Sequence, residues 1–158
     1  MKKALFFTMV VLLFTACSTK PSFDESLLPG KWLTTQEEWE DGMMLSTNLT
    51  LDFLNESEVE FEAKISVEGE YLGKVEGEGT YSVSGDRIKF NFPESNMEIS
   101  LNRGLFESNS EYNQAVREAE AEMKKEFTSF GEDKVVSISE EKLVLEENRE
   151  LIEFTRKN

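Results

Sequence analysis

The chain has 158 residues, 32 of them acidic against 17 basic, and a formal net charge of −15 at pH 7. So acidic a balance disfavours nucleic acid and anionic lipid headgroups, which both need a basic footprint, and the absence of histidine excludes Ser-His-Asp and Cys-His catalysis and every histidine metal site. Twelve Phe, two Trp and three Tyr nevertheless supply enough aromatic mass for a packed core, so the composition is that of a folded chain.

Met1-Lys2-Lys3 makes a short cationic start, and Ala4 to Phe14 is an apolar run broken only by Thr8. At about eleven residues the run is too short for a helix that must cross a hydrocarbon core, which needs roughly twenty, and it reads as the core of a signal peptide. Thr15 and Ala16 precede Cys17, and Ser18-Thr19-Lys20-Pro21-Ser22 follows as a polar tether. This segment resembles the lipobox of bacterial lipoproteins, with Phe14 where that pattern prefers Leu. The resemblance implies a signal peptide over 1–16, cleavage before Cys17, acylation of that cysteine and a lipidated tether over 17–27. Ser18, where an inner-membrane retention signal would carry Asp, implies the outer membrane by the same resemblance. The competing reading is an ordinary cleavage site with a cysteine nearby. Cys17 is the chain's single cysteine, so it has no disulfide framework to join. Several acyl chains would make attachment durable where one anchors only marginally.

What remains after the leader is one domain by size. From Gly30 onward the dominant signal has period two, the mark of strands with one face buried. Leu45, Leu49, Leu51 and Phe53 share a parity, and Asn55-Glu56-Ser57 then turns the chain. Val59, Phe61, Ala63, Ile65 and Val67 continue the alternation against charged and polar neighbours. Gly69 and Gly73 bracket an expected turn. Val75, Gly77, Gly79, Tyr81 and Val83 form the next set, whose two glycines predict a bend or a close approach. Ser84-Gly85-Asp86 is a tight-turn signal, and Ile88, Phe90 and Phe92 alternate until Pro93 ends the strand. Met97, Ile99 and Leu101 give one more.

The period then changes. Ala115, Val116, Ala119, Met123 and Phe127 recur at helical spacing, Ser108 with Glu111 can form a capping box, and Gly131 can close the helix. This predicts an amphipathic helix inserted at about 108–130. Period two returns through Val136 and Ile138, Leu143 and Leu145, and Ile152 and Phe154. About eight or nine short strands with turns between them indicate a sandwich or barrel, and short connections favour an up-and-down antiparallel β-barrel over residues 28–158.

Three segments resemble the lipocalin-like domains of secreted and lipidated bacterial proteins: Leu28-Pro29-Gly30-Lys31-Trp32, the stretch from Gly79 to Phe90, and Phe154-Thr155-Arg156. The resemblance implies a mainly β barrel with an apolar interior, closed at one end by Gly30, Trp32 and Arg156, the arginine laid on the Trp32 ring. It also implies an interior ligand site, for which Trp32, Phe53, Phe61, Tyr81 and Phe90 are the candidate lining residues. Barrels of eight strands either fill with side chains or hold one small ligand, and these bulky residues could do the filling. The inserted helix departs from the plain family plan, which carries its helix after the last strand.

No catalytic constellation stands out. Carboxylate pairs arise throughout so acidic a chain, and Gly77-Glu78-Gly79 lacks the lysine and helix of a phosphate loop. Neither a metal site nor a cofactor is expected. The expected function is that of a non-enzymatic, membrane-anchored binding protein for a small apolar or amphipathic ligand, located in the cell envelope. The alternative is a protein-interaction or scaffold lipoprotein that uses the 110–127 helix or the acidic barrel surface.

Overall fold

The computed structural model describes residues 22–40, 42–102, 104, 117, 120, 121, 124 and 131–157. Cys17 and the signal peptide expected before it therefore lie outside the described residues, as does nearly all of the helix expected at 108–130. Of that stretch Arg117, Glu120, Ala121 and Lys124 are described, and their backbone is helical. Among the described residues no helix is long and apolar enough to cross a membrane.

Among the described residues nine strands follow in order: β1 Gly30–Glu40, β2 Met43–Phe53, β3 Glu58–Val67, β4 Glu70–Ser84, β5 Arg87–Asn91, β6 Met97–Leu101, β7 Glu132–Ile138, β8 Lys142–Glu147 and β9 Glu150–Lys157. All pair antiparallel, and β9 returns to pair with β1, closing the wall. β5 and β6 both lie on the side of β4 away from β3, against Thr80–Ser84 and Gly73–Gly77 respectively. They act as one interrupted strand, so the barrel has an eight-stranded, up-and-down plan. The interruption follows from Pro93, which has no N–H to give to a ladder. The chain leaves the sheet there through a 3-10 turn at Glu94–Asn96 and re-enters at Met97.

Period two in the sequence becomes inside and outside of this wall. Trp32, Leu51, Phe61 and Gly77 lie side by side on one inner row. The two inward glycines are close approaches: a Cβ on Gly77 would sit 2.3 Å from the Phe61 ring, and one on Gly79 would sit 2.4 Å from the Asn91 carbonyl. Two details of the alternation differ from the sequence reading. Gly73 lies inside β4, and the turn is made at Glu68 and Gly69, both with positive φ. A bulge between Val135 and Ser137 reverses the parity of β7, so Val136 faces solvent while Asp133 and Val135 face the interior.

The wall is sealed unevenly. β1 runs to Glu40 but pairs with β9 only over Lys31–Leu33, and β5 pairs with β7 only over Arg87–Lys89. One end is thus a continuous ring. Toward the other, among the described residues, the wall divides into one sheet of β1 to β4 with β6 and another of β7 to β9.

Candidate functional site

The sealed end is built around Trp32. Its ring is fully buried, and the indole Nε1 donates to the Leu28 carbonyl at 2.8 Å. Arg156, opposite it on β9, lays its guanidinium 4.1 Å from the ring centroid, a cation–π contact worth about 0.5–2 kcal/mol. The same guanidinium donates from Nε to the Glu140 carbonyl and from Nη1 to that of Pro29, both at 2.6 Å, and from Nη2 to that of Leu27. One side chain thereby ties the last strand to the segment that covers the barrel floor. Gly30 makes room for it: φ is +116°, and a Cβ would stand 2.7 Å from Arg156 Nη1. Ahead of it Asp24 caps the 3-10 turn Glu25–Leu27, and the Ser22 N–H donates to the Gly85 carbonyl, so the described chain begins at this sealed end.

The structure gathers the aromatic candidates onto this floor. Phe53 meets Tyr81 edge-on at 4.9 Å, and Phe61 meets Phe92 edge-on at 4.7 Å. Phe90 lies 6.1 Å from Phe53 and stacks on Phe92 at 6.0 Å. Each such pair contributes about 0.5–1.5 kcal/mol beyond area burial. Tyr81 Oη donates to the Asn55 carbonyl at 2.7 Å, and burial, assisted by Glu25 and Glu56, pushes its pKa up. Trp32, Phe53, Phe61, Tyr81 and Phe90 are all buried, ring against ring or against the floor segment.

The divided end differs. Leu45, Leu72, Ile99 and Ile152 pack on the core but are only partly buried. Two inward polar residues are buried where the wall begins to divide: Thr34, 8% exposed, just past the β1–β9 pairing, and Asp133, 5% exposed, within the β5–β7 pairing. Asp133 stands across from Ile88 of β5, and extending the Lys134–Glu146 pair by one residue sets it across from Glu147 of β8. Glu147 in turn pairs with Glu150 of β9, so three carboxylates form one inner row. Among the described residues no hydrogen bond or ion pair reaches the Asp133 carboxyl. Burial, and then the charge of Glu147, push its pKa up to about 6. Sequence reading missed Asp133 because Glu132-Asp133-Lys134 looks like a solvated charge run and the bulge breaks the alternation that would have turned it inward.

Two depressions mark the outside of the wall. The larger, about 430 Å³, is lined by Asp52, Glu60, Glu62, Glu76, Glu78 and Glu98, with Lys31 and Lys157 among its other residues. The smaller, about 340 Å³, lies beside it near Pro93. Glu60 opposes Glu78, and Glu62 opposes Glu76, which opposes Glu98; like charges placed so are destabilising. Among the described residues no group of three or more acidic or cysteine side chains is arranged to hold a metal ion.

No protein-family model matches the chain, and no curated protein is similar to it. Among solved structures it is similar to a lipocalin-like protein from Bacteroides uniformis, with 18% sequence identity and a TM-score of 0.45, over 83% of this chain and 99% of that one.

Proposed function

We propose that this protein is a lipocalin-like binding module that holds, without transforming, a small apolar or amphipathic molecule in the divided end of its barrel. One observation carries the reading: the large inward aromatic side chains Trp32, Phe53, Phe61, Tyr81 and Phe90 are buried toward the sealed end, where only Phe23, Val83 and Ile138 among the core-packing apolar residues are partly exposed, whereas Leu45, Leu72, Ile99 and Ile152 at the other end keep part of their surface free. Partly exposed apolar surface inside a concave wall is where a small ligand gains most from leaving water. In this proposal acylated Cys17 holds the module on the outer membrane of the cell envelope. The tether enters at the sealed end, where Ser22 bonds to Gly85, and that support would direct the divided end away from the lipid.

Gentle extraction of the full chain from membranes, followed by solvent extraction and mass spectrometry, tests both parts. The expected result is a co-purifying small molecule and an N-terminal peptide that begins at acylated Cys17. Protein that carries no small molecule and binds none added to it contradicts the binding reading. A free thiol at Cys17 contradicts the anchor. A second reading, docking of a protein partner, is favoured by Trp39 and Met43 beside the β1–β2 turn, 74% and 52% exposed. It predicts a partner in pull-downs that is lost on Trp39→Ser.

A further inference from the structure

We propose that the molecule held in the barrel carries a protonated amine, and that Asp133, with Glu147 beside it, is the residue that receives the ammonium group. This inference rests on the small-molecule reading above and names the chemical class.

Asp133 faces inward from β7, is 5% exposed, and has no partner among the described residues. A carboxyl in that position is costly unless something pairs with it. Four cations of the surrounding strands are engaged elsewhere, on the outside of the wall or at the floor. Lys134 reaches Glu146 at 3.8 Å, Lys142 reaches Glu153 at 2.6 Å and Arg87 reaches Glu132 at 3.5 Å. Arg156 is spent on three backbone carbonyls. The apolar residues Ile88, Val135 and Leu145 surround the position and offer no donor. Glu147 adds a second inward negative charge, and Glu150 a third nearer the rim. Among the described strand residues no cation reaches this carboxylate, and in this proposal the ligand brings the positive charge.

The surroundings also select among cations. A hard divalent ion needs six or more oxygen ligands, whereas this site offers a short carboxylate row beside hydrocarbon. An alkyl ammonium suits both, with its charge on Asp133 and its chain against the inner wall at Ile152, one inner row from Glu150 on β9. The acidity of the whole molecule would raise the local concentration of such cations.

Titration calorimetry on the full chain with octylamine and with octanol reads the amine preference directly, as the ratio of the two affinities at pH 7.5 and 0.3 M salt. The proposal expects octylamine to bind about tenfold tighter, the effect of one charge-assisted hydrogen bond. Asp133→Asn should bring the ratio to about one, and Glu62→Gln on the outer face should leave it unchanged. Equal affinities in the unaltered protein overturn the amine assignment and leave the binding reading standing. A preference that survives Asp133→Asn assigns the effect to surface charge and overturns it too. If neither probe binds, the binding reading itself falls.

Discussion

The two ends of this barrel are made from the same strands and solve opposite problems. At the sealed end the large side chains are tied to partners: Trp32 has Leu28 and Arg156, Arg156 has three carbonyls, Tyr81 has Asn55, and Phe53, Phe61, Phe90 and Phe92 pack on one another or on Tyr81. Toward the divided end Leu45, Leu72, Ile99 and Ile152 are partly exposed, and Asp133, where the wall begins to divide, is buried without a partner among the described residues. A buried carboxylate without a partner among the described residues lowers stability, and in the proposed reading that cost falls where the ligand binds.

That contrast can be broken by substitution. Trp32→Ala should be the most damaging, lowering the unfolding free energy by about 4 kcal/mol in urea titration, because it removes a buried ring and the surface on which Arg156 lies. Arg156→Ala should cost about 3 kcal/mol, since it leaves the carbonyls of Leu27, Pro29 and Glu140 without their donor. Arg156→Lys should recover only part of that loss, because an ammonium cannot span three acceptors in one plane. Gly77→Ala should cost about 2 kcal/mol by driving a methyl into Phe61.

Asp133→Asn should act in the other direction. The folded pKa of about 6 lies above the unfolded value near 3.9. Between those values the native state binds the extra proton, so stability falls as pH climbs through that window and levels off above it. Asparagine carries no charge to desolvate, so the variant should be more stable by about 2 kcal/mol at pH 8 and nearly unchanged at pH 4. Denaturation at both pH values checks this. The smallest effect is expected for Ile152→Ser at the divided end, under about 1 kcal/mol, because that side chain is only partly buried.

Much of the barrel was legible because strand periodicity is a local signal. Val59 to Val67 alternate without error, Ser84-Gly85-Asp86 fixes a hairpin, and Gly77 and Gly79 announced a close approach whose occupants proved to be Phe61, Phe92 and the Asn91 carbonyl. The candidate site was legible only in part. The aromatic residues could be picked as inward, but parity does not say whether inward rings enclose space or fill it; Phe53, Tyr81, Phe61 and Phe92 touch one another. Asp133 escaped notice for a non-local reason. Its orientation depends on a bulge one turn of the pleat away, and its isolation depends on Lys134, Lys142 and Arg87 having found partners outside.

The division of labour between the ends is most directly tested by methyl NMR of the full chain titrated with octylamine. The account predicts shifts at Leu45, Leu72, Ile99 and Ile152, with Leu51 and Leu143 of the packed interior unmoved. Shifts centred on Leu51 and Leu143, or absent from the interior altogether, would contradict it.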